Sequence, residues 1–146
     1  MDKSEKNMKD FLSAIKMGCE IFKVYKQNAN NFQLKEIIEQ SQQLFDQHQI
    51  KIRNQLTCEG YDNECDLKRT QKLAIKMEKM IVKDKSDFDL CLNIICSMKT
   101  AMTKGLTFLF RNKDDVSIDF LHAAKEVVRD YDNVQLRFKE YAINLI

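Results

Sequence analysis

Proline is absent from the 146 residues, and glycine occurs only three times, at Gly18, Gly60 and Gly105. Sheet proteins need such residues at their turns, so this scarcity argues against a sheet fold and favours long helices with few loops. No apolar run approaches the ~18 residues of a membrane span. Neither charge dominates: 24 basic against 22 acidic residues leave a net charge of +2, too small to imply nucleic acid by itself. What is present is the composition of one soluble globular domain over residues 1–146, with 44% hydrophobic and 32% charged residues. The five cysteines are odd in number and sit mostly within helical patterns, as reduced cytosolic thiols do. Met1 is followed by Asp2, Lys3, Ser4 and Glu5, which is not the start of a secretory leader. The expected location is cytoplasmic.

Apolar residues recur at helical spacing in four long stretches. The first runs from about Ser4 to Ala29, with Met8, Phe11, Ile15, Gly18, Phe22 and Tyr25 on its stripe, and ends among Asn28, Asn30 and Asn31. The second, from about Phe32 to Thr57, carries Leu34, Ile38, Phe45, Ile52 and Leu56 and places two polar residues, Ser41 and His48, inward. A turn from Cys58 to Cys65 contains Gly60. Asp66 is the expected N-cap of a short helix reaching Val82, whose apolar side reads Leu67, Leu73, Ala74, Met77, Met80 and Ile81. Ser86-Asp-Phe-Asp89 has the spacing of a capping box and opens the third long helix, to about Arg111. Its expected seam is Cys91, Leu92, Ile95, Met98, Met102, Leu106 and Leu109. The fourth covers about Ser117 to Leu145, lined by Phe120, Ala124, Val127, Tyr131, Val134, Phe138 and Tyr141. Short loops join the first pair and the last pair. The expected fold is all-α: an antiparallel four-helix bundle with a short extra helix in the crossover between helices 2 and 3.

Three features, the Phe11-Leu12…Tyr25 helix, the His-x-Ile-Lys-Ile run from His48 to Ile52 and the small crossover helix, carry a resemblance. From Met8 to Ile143 the chain resembles the ferritin-like four-helix bundles, and within them a bacterial family of unknown function. Metal-binding members hold two metals inside the bundle, with one Glu from each of two helices and a Glu-x-x-His pair from each of the others. Carried onto this chain, the first helix offers Ile15, the second Phe45-x-x-His48, the third Met98 and Met102, and the fourth Asp130-x-x-Asn133. One imidazole and one carboxylate cannot hold two metals. The resemblance therefore implies a ferritin-like shell with a degenerate metal site, no cofactor and no catalysis. His48 and Asp130 stay as weak candidates for a single metal; the plainer reading is a buried histidine hydrogen-bonded to Asp130, Ser41 or a tyrosine. The alternative function is a di-iron or manganese redox or storage protein with divergent ligands, in which a shifted register turns Glu20, Glu39 or Glu126 inward.

Other chemistries find less support. Cys58 and Cys65 have six residues between them, too many for a paired zinc ligand, although a loop disulfide is open to them. Cys91 and Cys96 read as core or near-core, and His122 as exposed, so no cysteine has a base beside it. No phosphate-binding glycine loop or His-Glu-x-x-His motif is present. The crossover helix is more informative. Lys68, Arg69, Lys72, Lys76, Lys79, Lys83 and Lys85 face only Glu78 and Asp84 in this segment, and seven minus two gives +5. Lys72, Lys76, Lys79 and Lys83 share one face, suited to lipid head groups, an acidic partner or a phosphate backbone. The ordinary alternative is that its apolar side packs on the bundle while the lysines are merely solvated. The stripe lacks aromatics, which argues against nucleic acid. The expected function is a non-enzymatic interaction or structural module whose partner is an unidentified protein, an anionic surface or a second copy. Ile21, Val24 and Phe110, off the main stripes, are the residues expected at a homodimer face.

Overall fold

The computed structural model describes residues 2–146, which form five helices: α1 (Lys3–Asn28), α2 (Phe32–Cys58), α3 (Arg69–Val82), α4 (Asp87–Asn112) and α5 (Ile118–Asn144). The described residues include no strand. Four helices begin where a short polar side chain can take up a free backbone N–H. Asp2 accepts from the Glu5 amide at 2.8 Å, Asn31 from Gln33 at 2.8 Å, Ser86 from Asp89 at 3.1 Å and Ser117 from Phe120 at 3.0 Å. The fifth start departs from expectation. Asp66 does not cap α3; residues 61–68 are irregular, and the N-cap position falls two residues later, at Lys68. There the Gln71 side chain reaches back to accept from the Lys68 amide at 2.8 Å. Gly60 closes α2 at φ 80°, a conformation in which a β-carbon would be strained.

The helices pack into a bundle in which α4 lies along α5, α1 along α2, and α2 along α5, while α1 also meets α3 and, over a shorter length, α4. The interior is aromatic. Phe22 stands edge-on to Tyr25 and Phe45, with ring centroids 5.2 and 4.8 Å away, and Phe45 stands edge-on to Tyr131 at 5.8 Å. Phe11 does the same with Phe120 at 5.7 Å. Each such ring contributes about 1.5–3 kcal/mol by burial and roughly 0.5–1.5 kcal/mol more by its geometry. Cross-helix partners set the register: Lys26 with Glu39 and Cys19 with Asp46 between α1 and α2, His48 with Asp130 and Lys51 with Glu126 between α2 and α5. Between α4 and α5, the Cys91 thiol donates to the Phe138 carbonyl at 3.0 Å. Gly105 matters on the same seam, because a β-carbon there would lie 2.9 Å from Val128 Cγ2.

Two packing expectations need correction. The buried residues of α4 are Leu90, Cys91, Ile94, Met98 and Leu109, whereas Leu92 and Leu106 are exposed. Apolar residues surround most of this helix, so their spacing allows several faces; the fit of Gly105 against Val128 selects one. Cys96 follows Leu92 to the exposed side. Val24, expected at a homodimer face, is buried, and Ile21 is partly so; of the three, only Phe110 is exposed.

Candidate ligand cleft and docking face

Ile15, Phe45 and Met98, the residues that the sequence resemblance alone assigned to would-be ligand positions, lie close together. All three line one cavity of about 540 Å³, together with Phe22 and Tyr131. That volume is within the range of small-molecule sites, roughly 300–1,000 Å³. The cleft lies between α1 and α4, the pair of long helices with the shorter contact, and α3 crosses its mouth with Ala74 and Glu78. Small residues keep it open. Ala14 and Gly18 line it from α1 and Ala101 from α4, and a β-carbon on Gly18 would meet nothing within 4 Å. Tyr131 is 9% exposed yet makes no hydrogen bond, and burial raises its phenol well above the ordinary value.

The rim is polar and mostly self-satisfied. Tyr25, from α1, donates its hydroxyl to Glu78 Oε1 at 2.9 Å and lies 2.9 Å from the Ser97 hydroxyl of α4. Asn93 of α4 also donates to Glu78. One carboxylate of α3 is thus held by both walls of the cleft. Asp10 is bonded to Lys6 at 3.0 Å and to Lys68 at 2.9 Å. Partial burial pushes its carboxyl up, but the two ammonium groups outweigh this and leave it below the ordinary value. With these acids occupied, Lys104 is the exposed charge on the rim that no described carboxylate pairs.

His48 and Asp130 come together as the plainer sequence reading expects. His48 is 2% exposed and its Nε2 lies 2.7 Å from Asp130 Oδ2, while Nδ1 has no partner. Burial lowers the imidazole below its ordinary 6.5, against the opposing pull of Asp130. Among the described residues, no three His, Cys, Asp or Glu side chains converge as a metal site would require. The three glutamates that a shifted register would turn inward instead form surface ion pairs: Glu20 with Lys23, Glu39 with Lys26 and Glu126 with Lys51. Cys58 and Cys65 are free thiols, as are the other three cysteines. His122 is exposed.

The largest correction concerns α3. Its bundle side is Gln71, Ile75, Glu78 and Val82, at spacings of four, three and four, and only Val82 is fully buried. The expected apolar side points away from the bundle: Leu73, Met77, Met80 and Ile81 are 58, 53, 79 and 48% exposed. Arg69, Lys72, Lys76, Lys79 and Lys83 are exposed along one edge of that stripe. Glu78, counted against the basic charge in the sequence, is turned inward to Tyr25 and Asn93. Sequence reasoning missed this side because the residues that hold the helix down include a Gln and a Glu, which do not read as an apolar stripe. It missed the cleft because a void leaves no residue type as a mark; the nearest sign was Gly18 on an apolar stripe.

No protein-family model, no curated protein and no solved structure matches the chain.

Proposed function

We propose that the four long helices form an antiparallel ferritin-like bundle without a di-metal centre, that α3 is an insertion in its crossover, and that the protein is a non-enzymatic interaction module docking through α3 on an anionic lipid surface. The topology is supported by the register of the cross-helix partners. Partner numbers run in opposite senses between α1 and α2 (Cys19 with Asp46, Lys26 with Glu39) and between α2 and α5 (Gln40 with Arg137, Lys51 with Glu126). The aromatic and aliphatic residues at the would-be metal positions support the absence of a di-metal centre.

The observation that carries the docking role is the outward stripe of Leu73, Met77, Met80 and Ile81 bordered by five cations. Lying flat on a membrane, such a helix places its apolar residues at the head-group boundary and its lysines among anionic phosphates, where each contributes about 1 kcal/mol. A second copy of the chain would set this cationic edge against its own like, which opposes self-association through α3. A nucleic acid would use the charge but leave the exposed methionines and leucine without a role. A cytoplasmic location belongs to this reading, since that leaflet is anionic.

Vesicle flotation tests it. Vesicles with about 30% phosphatidylglycerol should carry the protein up the gradient and neutral phosphatidylcholine vesicles should not. Changing Lys72, Lys76 and Lys79 together to Glu should abolish flotation, and Met77→Asp should weaken it. Equal behaviour on both vesicle types, or none on either, would sink the proposal.

A further inference from the structure

Helix α4 carries an apolar stripe on the side turned away from the bundle. Phe88, Leu92, Ile95, Met102, Leu106 and Phe110 recur there at spacings of three, four and seven residues, and Lys99 fills the one gap. Ile95 and Met102 are partly buried, while Phe88, Leu92, Leu106 and Phe110 are 37, 43, 55 and 72% exposed. A seam that alternates threes and fours is the pattern by which one helix packs along another. This one runs for about 33 Å at 1.5 Å per residue. Its exposed apolar area, roughly 400 Å², is of the size that marks a functional surface on a monomer.

Charge decides what covers it. Asp89 is exposed in the first turn of α4 and Arg111 in the last, and neither forms an ion pair among the described residues. About six helical turns separate them, so both lie on the same flank of the stripe. Two copies laid antiparallel about a two-fold axis near Lys99 therefore bring each Asp89 to the Arg111 of the other copy, with the helix dipoles opposed. A parallel pair would set Asp89 on Asp89 and Arg111 on Arg111. An anionic lipid surface would meet Asp89 at one end and gain only Lys99 along the stripe.

We propose that the protein is a homodimer formed by antiparallel pairing of the outward faces of α4, with Asp89–Arg111 ion pairs at both ends and the two Lys99 side chains near the axis. Lys99 is the one discordant residue. A single lysine in such a seam fixes the register at a cost in stability, and its length lets the ammonium reach water at the edge. With its polar flanks the surface approaches the roughly 800 Å² that each partner contributes to a standard interface. Phe110, the exposed member of the residues expected at a homodimer face, belongs to this stripe.

Sedimentation equilibrium of the full-length protein tests it. The mass at micromolar concentration should be twice that of the 17.2 kDa chain. Leu106→Asp, at an exposed position, should give a monomer with unchanged helix content by circular dichroism. Asp89→Arg and Arg111→Asp should each weaken the dimer about three- to tenfold, and the two together should restore it, a rescue that only antiparallel pairing predicts. Lys99→Leu should tighten it at least about tenfold. Met77→Asp, which cripples the α3 face, should leave the mass unchanged, so docking on lipid and dimerisation fail separately. A monomeric wild type at about 100 μM, a dimeric Leu106→Asp, or a double charge reversal no tighter than either single one would overturn the proposal. Loss of vesicle flotation in Leu106→Asp, from a wild type monomeric in solution, would give the stripe to the membrane instead.

Discussion

Helix α4 faces two other long helices, α5 and α1, and treats them oppositely. Toward α5 it closes up: Gly105 leaves room for Val128, and the Cys91 thiol reaches a backbone carbonyl of the facing helix. Toward α1 it stands off, and the small residues there border a void. The two helical glycines, both of which line the cleft, differ in what a β-carbon would meet: Val128 at Gly105 and nothing at Gly18. A small residue at a helix seam therefore has no single meaning; what faces it decides.

The two cysteines of α4 should separate these seams most sharply. Burial pushes the Cys91 thiol up to about 11, whereas Cys96 is exposed beside the cleft. Alkylation mapped by peptide mass spectrometry at neutral pH should find Cys91 at least about 100-fold slower than Cys96. Comparable rates would mean that the closed seam opens as readily as the other.

Next in size is Gly105→Leu. A β-carbon already meets the stiff Val128 side chain at 2.9 Å, so a larger group forces the helices apart, costing about 1–3 kcal/mol and lowering Tm by several degrees. Gly18→Ala should act the other way. It adds a methyl group where nothing is near and removes the helix penalty of glycine, a gain of about 0.5–1 kcal/mol in chemical denaturation. If both substitutions destabilise equally, the contrast between the seams is wrong.

The smallest effect belongs to the polar α2–α5 seam. Burial holds His48 below its ordinary 6.5 in the fold, so the unfolded chain binds the proton more tightly. The stability that neutral His48 contributes is complete above pH 6.5 and is lost as pH falls through its folded value. Asp130→Asn removes the group that raises His48 and should carry this acid loss further down the pH scale. Urea unfolding at about pH 7.5 and about pH 5.5 reads both; a flat pH response in the wild type would contradict the assignment.

Much of the architecture was legible because it rests on repetition. The Phe11-Ile15-Phe22 spacing marks a buried stripe whatever the stripe meets, and Ser86 announces its helix by the local need of free amides. His48 beside Asp130 was legible for a similar reason, since a polar residue on an apolar stripe must find a partner. The α3 orientation was not legible. Leu73, Met77 and Met80 form a better apolar stripe than Gln71, Ile75 and Glu78, and the hydrogen bonds of Glu78 to Tyr25 and Asn93, that of Ser13 to Gln71 and the burial of Val82 reverse the choice. The α4 seam failed for want of contrast, with apolar residues on nearly every side. The cleft depends on how far α1 and α4 stand apart, a property of two helices at once that no window of one chain segment contains.

The sparse attachment of α3 has an evolutionary corollary. With Val82 its single fully buried side chain, the helix is held to the bundle mainly through one face, by Ile75 and the hydrogen bonds of Gln71 and Glu78. Its outward residues can drift in charge and length with little penalty to the bundle beneath. Selection can thus change this exposed face while the interior stays fixed, and an engineer could rewrite the same helix turn by turn.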